Sequence, residues 1–344
     1  MKKYLITKDG NFYRANLHCH TTISDGKKTP EEVKEIYKSR GYSIVAYTDH
    51  DVLIGHKDLC DNDFLALHGY EMEVTVTDNI PSYRKKTAHM CLIALTPDNL
   101  KQVCYHREKY MIGHGAEYRD KVIFDESLPD YERAHTHECV SEMMHCGREN
   151  GFFVTYNHPT WSLEDYSDYM GFHGMHAMEI YNGSCISSGY EDINARVYDD
   201  ILRGGERIFC IGADDNHNSR PEDSRRFDSG IAYTVIKAPS LEYTAVTDAL
   251  LRGDFYSSMG PEIKELYVED GRVYIKTSPV DRIQIHFGTR RSDVAYREAG
   301  RSLTKADFKI HDDCGYFRLT VIDKHGNRAD TNAYFPDEIC IQND

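Results

Sequence analysis

The sequence predicts an α/β barrel over most of the chain, followed by a small all-β domain. Two patterns lead there, and the length permits both. Across residues 1–258, short apolar runs rich in aromatic and β-branched residues alternate about seven times with amphipathic segments. That strand–helix–strand rhythm belongs to an α/β barrel rather than to a sandwich or a bundle. From 262 to 344 the texture changes to short alternating runs with turn signals at Asp270-Gly271 and His325-Gly326-Asn327, the pattern of antiparallel strands in a sandwich. A chain of 344 residues is long enough for one large and one small domain.

The expected strands of the first part are 15–18, 43–47, 64–69, 88–95, 151–156, 177–181 and 208–211. The first helix is announced by Thr29-Pro30-Glu31-Glu32, which offers a cap, a proline at the first helical position and a capping-box glutamate, and it ends at Gly41. Further helices are expected over 137–148, 191–202 (stopping at Gly204-Gly205) and 240–251 (stopping at Gly253). The stretch 97–150 is long for one connection. It reads as an insertion, a candidate lid or substrate wall. In the second part the runs 263–268, 273–276, 283–287, 316–322 and 332–335 read as strands.

Composition narrows the function. No apolar run approaches the ~20 residues of a membrane span, and the start carries no secretory signal, which favours the cytoplasm. The ten cysteines form no Cys-x-x-Cys pair, and Cys91, Cys210 and Cys340 sit in apolar runs, as reduced buried thiols do. A formal net charge of −15 provides none of the basic surface that non-specific nucleic-acid binding requires. No signal for an oligomeric state is legible. The 18 histidines cluster near carboxylates.

That clustering recurs at the strand ends. The first run leads into His18-Cys19-His20, followed by Ser24-Asp25-Gly26. Period two places His18 and His20 on one strand face and Cys19 on the other. An isolated pair of this kind is ordinary. The second run, however, ends in Thr48-Asp49-His50-Asp51, the third leads into Gly69-Tyr70-Glu71, and the fourth carries His89. The fifth ends in Asn157-His158-Pro159, and the seventh runs into Asp214-Asp215-Asn216-His217. In an α/β barrel the carboxyl ends of the strands form the functional face, so these side chains would meet on one rim. His135 and His137 repeat the spacing beside an expected helix, where residues two apart do not share a face. Mixed imidazole and carboxylate ligands suit Zn²⁺, Mn²⁺ or Fe²⁺. Nine candidates exceed one tetrahedral ion, so two or three divalent ions with shared carboxylates fit better. Such clusters suit metal-activated hydrolysis, most naturally of a phosphate ester.

As a set, His18-x-His20 with Ser24-Asp25-Gly26, Thr48-Asp49-His50, Gly69-x-Glu71, His89, Asn157-His158-Pro159 and Asp215-x-His217 resembles the PHP (polymerase and histidinol phosphatase) metallohydrolases. The resemblance spans residues 12–260 and keeps the motif order. The β region after Gly260-Pro261-Glu262 is similar to an appendage of some two-domain members. What the resemblance implies is a distorted (β/α)7 barrel and a trinuclear ligand scheme. One metal would take His18, His20, Glu71 and Asp215. A second would share Glu71 and add His89 and His158. A third would take Asp25, His50 and His217. Asp49, Asp214 and Asn157 would sit behind the ligands, with Asp49 and Asp214 orienting imidazoles; Asp214 could exchange roles with Asp215, which the spacing to His217 favours. Glu71, Asp215 and His217 would be the catalytic residues, with a water or His217 protonating the leaving alcohol. Arg225 and Arg226 are candidate phosphate-binding residues. The expected activity is a phosphoesterase acting on a small phosphorylated metabolite or nucleotide. The alternatives are hydrolysis of a carbamate or carboxylic ester, or a non-catalytic metal-binding module, which the full set of nine ligands disfavours.

Overall fold

The structure is a computed structural model describing residues 2–77 and 80–339; Cys340 lies outside the described residues. Its first half contains strands β1 (Asn11–Asn16), β2 (Ile44–Tyr47), β3 (Leu65–Thr75), β4 (Thr87–Ala94), β5 (Phe152–Asn157), β6 (Ala177–Asn182), β7 (Phe209–Ala213), β8 (Tyr233–Ala238) and β9 (Phe255–Ser258). The seven expected strands are β1–β7, with shifted ends. β1 stops two residues before His18, and β3 runs six residues beyond Gly69. The second half adds β10 (Ile263–Glu269), β11 (Arg272–Val280), β12 (Arg282–Phe287), β13 (Ser292–Tyr296), β14 (Leu303–Lys309), β15 (Phe317–Ile322) and β16 (Arg328–Thr331). β13 and β14 were not legible because they are largely exposed and carry little apolar alternation.

Among the described residues the strands do not close into a seven-stranded barrel. Thirteen of them form one sheet in the order β7-β6-β5-β4-β3-β2-β1-β8-β9-β16-β15-β12-β13. Pairing is parallel for β1–β2, β2–β3, β5–β6 and β6–β7. It is antiparallel on both sides of β4, and again where β8 joins β1. The expectation of uniform βα repeats fails here because β3 and β4 are joined without a helix crossover, and only such a crossover returns a strand parallel to its predecessor. Beyond its edge, β7 meets the continuation of β1 at one isolated bridge, Cys19 to Asn216.

The four longer helices cover the sheet with their apolar stripes: α1 (Pro30–Ser39), α2 (His137–Glu149), α3 (Ala195–Arg203) and α4 (Tyr243–Arg252). α1 has the capping box read from the sequence, Thr29 with Glu32, and buries Val33, Ile36 and Tyr37. α4 ends at Gly253, whose φ of +74° is a left-handed conformation that glycine adopts without a Cβ clash. In the second half, β10, β11 and β14 pair with Lys3–Tyr4 as a separate four-stranded sheet. That sheet shares an apolar core with β12 and β15 of the large one, through Leu266, Val273, Ile275, Ile283, Ile285, Leu319 and Val321. Within 97–150 lie α2, a 3-10 segment Gly113–Lys121 and a two-stranded pair, Lys101–Gln102 with Ile123–Phe124. Among the described residues no helix is long and apolar enough to cross a membrane.

Candidate metal centre

Each expected ligand reaches the rim by its own route. His18 and His20 follow the end of β1, where the chain stays extended by bonding to the segment after β7. The Asp215 N–H donates to the His18 carbonyl and the His20 N–H to the Asn216 carbonyl, both at 3.0 Å. Cys19 turns the other way, into the apolar core, as period two requires. Glu71 lies inside β3 rather than after it, bridged to His50. His89 stands near the amino end of β4. Because β4 runs antiparallel to its neighbours, its beginning lies on the rim where theirs end. Asp215 and His158 follow their strands in left-handed conformations, φ 52° and 29°. These conformations cost of order 1–3 kcal/mol each in a non-glycine residue and concentrate at functional sites. Asp215 rather than Asp214 reaches the two histidines, and the turn, not the pleat, aims its side chain. Asp25 is brought in by a tight loop. A Cβ on Gly26 would lie 2.6 Å from the His20 carbonyl oxygen, so glycine allows that closure.

The nine side chains form one cluster, with Glu71 against five of the imidazoles. Its Oε1 lies 3.1 Å from His18 Nε2, 3.1 Å from His89 Nδ1 and 3.5 Å from His158 Nε2. Its Oε2 lies 3.3 Å from His20 Nε2 and 3.2 Å from His50 Nδ1. Asp215 Oδ1 is 3.2 Å from His18 Nε2 and 3.1 Å from His20 Nε2. Asp25 Oδ2 faces His217 Nε2 at 3.4 Å and His50 Nε2 at 3.9 Å. Among the described residues four groups of side chains have ligand atoms close enough to share an ion: His20, Asp25, His50 and His217; His18, His158 and Asp215; His50, Glu71 and His89; and His18, Glu71 and Cys91. His18 Nε2 and His20 Nε2 face each other at 3.0 Å, and the buried His50 Nδ1 has no hydrogen-bond partner. Imidazole lone pairs converging on shared carboxylates fit divalent cations.

The charges are strongly coupled. Burial opposes ionisation of Glu71, but His18, His89 and His158 around it hold its carboxyl well below the usual range. Asp215 is likewise buried, and His18 and His20 hold it below the usual range. Burial disfavours a proton on His158, yet Glu71 and Asp215 raise it to about 9. The same balance raises His18 and His20 well above the ordinary imidazole value. His50, buried next to His20, is lowered.

Behind the ligands stands a residue that sequence reading missed. Glu179, fully buried in β6, places Oε1 2.7 Å from His18 Nδ1 and accepts from the His158 N–H at 3.0 Å and Asn182 Nδ2 at 2.9 Å. A carboxylate on Nδ1 fixes the tautomer that leaves Nε2 free for a metal. The available signal was a glutamate inside the apolar run Ala-Met-Glu-Ile-Tyr, since a buried charge must be paired. Asn157 supports Glu71, with Nδ2 3.0 Å from Oε1. Asp49 does not orient an imidazole directly. It ties down the loop before Asp25, accepting from the Thr21 and Ser24 N–H groups and both hydroxyls. Asp214 points away from the cluster and anchors 230–232, accepting three backbone N–H groups and the Tyr37 hydroxyl. Its carboxyl rises to about 7 on burial.

The cluster opens into a cavity of about 420 Å³. Its walls are Glu73, Thr75, Lys85 and Thr87 on one side and Trp161, Ser184, Cys185 and Ser188 on the other. Among the described residues none of 97–150 lines it. That segment instead reaches the rim through Arg133, which pairs with the buried Asp51 and donates to the Glu73 carbonyl. Arg225 and Arg226 are exposed on a loop and do not line the cavity. Among the described residues the cationic side chain that lines it is the exposed Lys85.

No family model and no curated protein matches the chain. Solved structures do. One is a two-domain protein from Bacteroides vulgatus containing a predicted PHP-like metal-dependent phosphoesterase (15% identity, TM-score 0.44, 96% of this chain and 89% of that one). The chain is similar to PHP-like phosphoesterase structures. A candidate metal-dependent phosphoesterase from Bifidobacterium adolescentis matches at 14% identity and TM-score 0.37, over 64% of this chain and 91% of that one. An amidohydrolase from Chromobacterium violaceum with bound sulfate matches at 16% and 0.36, over 59% and 87%.

Proposed function

We propose that the chain is a metal-dependent phosphoesterase acting on a small phosphate ester. The observation that carries this reading is the gathering of three carboxylates and six imidazoles into one cluster that opens into a cavity. His18, His20, Glu71 and Asp215 would hold one ion, Glu71, His89 and His158 a second, and Asp25, His50 and His217 a third. Divalent ions bound there supply Lewis-acid polarisation of a phosphoryl oxygen and a lowered pKa for water.

The chain's own residues account for the rest. Glu179 and Asn157 hold His18 and Glu71 in place, so the ligand set is assembled before an ion arrives. His217 donates from Nδ1 to the Asp215 carbonyl at 2.9 Å, which turns Nε2 toward Asp25 and the cavity. Burial disfavours a proton there, but Asp25 and Asp215 raise the imidazole; as a metal ligand His217 would give up that proton, so a water is left to protonate the leaving alkoxide. Lys85 attracts the anionic substrate to the mouth, and Trp161, packed edge-on against His158 with ring centroids 5.1 Å apart, forms a flat apolar wall. No serine or cysteine nucleophile is needed.

The test is turnover of a panel with Mn²⁺ or Zn²⁺: phosphate monoesters, cyclic and bis-phosphorylated nucleotides, and aryl carbamates. Hydrolysis of phosphate esters that is lost on chelation supports the proposal. Turnover of carbamates alone refutes it.

A further inference from the structure

His89-Met90-Cys91 repeats the two-residue spacing of His18-Cys19-His20. In β4, His89 stands opposite Glu73 and Asn157, and Cys91 opposite Glu71 and Thr155. Directly opposed residues project to the same sheet face, so Cys91 lies one pleat below His89, beneath Glu71. Ligand atoms of His18, Glu71 and Cys91 all lie within 4.8 Å of one another, and all three residues are buried.

This thiol is not packed as a small hydrophobe. Cys19 and Cys210 belong to apolar clusters, whereas Cys91 belongs to none among the described residues. Its surroundings also define its hydrogen-bonding role. Asn157 Oδ1 accepts from the Thr155 hydroxyl at 2.8 Å. Its Nδ2 therefore directs its two hydrogens at Glu71 Oε1, 3.0 Å away, and at Cys91 Sγ, 3.1 Å away. The reverse amide orientation would set Oδ1 against the Glu71 carboxylate. The sulfur is thus an acceptor toward Asn157.

We propose that Cys91 Sγ is a ligand, as thiolate, to the ion held by His18 and Glu71. On binding, the Sγ–H proton leaves to solvent and the freed sulfur lone pair bonds the cation, with no change in oxidation state. A soft sulfur in an otherwise nitrogen and oxygen set biases this position toward Zn²⁺ or Fe²⁺ and against Mn²⁺. The inference rests on the reading of His18 and Glu71 as metal ligands, and the experiment separates the two.

The metal-free full-length chain is titrated with Co²⁺ and its absorption recorded. Ligand-field bands in the visible report binding by the imidazole and carboxylate set. A near-ultraviolet thiolate-to-cobalt charge-transfer band reports the sulfur. The expected result is both bands in the unaltered chain and in Cys185→Ser, with loss of the charge-transfer band in Cys91→Ser. Zn²⁺ binding in Cys91→Ser should weaken about 10-fold or more, with a smaller change for Mn²⁺. Ligand-field bands without charge transfer in the unaltered chain overturn the sulfur ligand and leave the metal centre standing. So does a charge-transfer band that survives Cys91→Ser and disappears in Cys185→Ser. Absence of both bands overturns the metal centre itself.

Discussion

Replacing Glu179 by glutamine removes a charge and one acceptor while keeping the shape. The carboxylate accepts from His18 Nδ1 at 2.7 Å, the His158 N–H at 3.0 Å and Asn182 Nδ2 at 2.9 Å. An amide cannot satisfy all three. If its NH₂ faces His18, the imidazole must shift its proton to Nε2, the atom 3.1 Å from Glu71 and 3.2 Å from Asp215, and that nitrogen is lost to a metal. If its NH₂ faces the other side, two buried donors lose their acceptor, at roughly 1–3 kcal/mol each. The first outcome weakens metal binding and the second lowers stability. Loss of a partner behind a ligating histidine lowers metal affinity about 10–100-fold, or about 1.4–2.8 kcal/mol. Competitive titration of Zn²⁺ against a chromophoric chelator measures the affinity, and thermal unfolding of the metal-free chain measures the stability. Affinity and Tm both unchanged in Glu179→Gln would refute the claim that Glu179 sets the His18 tautomer.

Other consequences follow from the same geometry. Glu71→Ala should abolish both tight metal binding and turnover, because this carboxylate contacts five of the six imidazoles; full activity would refute its bridging position. His158, held at about 9 in the metal-free chain, must lose its proton to bind a metal. Metal affinity should therefore rise with pH toward about 9, and calorimetry at pH 7 in buffers of different ionisation enthalpy should detect proton release. The sign reverses for stability without metal. A raised histidine stabilises the fold fully below its unfolded value of about 6.5, and that contribution fades as pH climbs to about 9, so Tm of the metal-free chain should fall across this window. Arg133→Met leaves Asp51 buried without its partner, which typically costs 3–5 kcal/mol, and urea unfolding should record the loss. Lys85→Ala should raise KM, whereas Arg225→Ala and Arg226→Ala should leave it unchanged.

The side chains that the structure brings together were legible because metal chemistry limits the residue types and strand ends limit their spacing. His18, His20, His50, Glu71, His89, His158, Asp215 and His217 could each be read at or beside a strand end, whereas Asp25 entered through the family resemblance. The topology around them could not. An antiparallel β4 looks the same in sequence as a parallel one, since the direction of pairing leaves no mark on four to eight apolar residues. For the same reason Glu179 and Cys91 went unread: both sit inside apolar strands, and their meaning comes from neighbours 161 and 20 residues away, His18 and Glu71. Arg225 and Arg226 were read from charge alone, and charge does not say which loop faces a cavity. The insertion was read as a candidate lid or substrate wall; its buried arginine pairs with Asp51, a contact that no local pattern marks.

Anomalous diffraction at the zinc edge, from crystals grown with Zn²⁺, tests the central claim most directly. The expected result is anomalous peaks within coordination distance of Glu71, one of them also touching His18, His20 and Asp215. Zinc density that avoids Glu71, or an ordered cluster with no anomalous peak, would contradict the account.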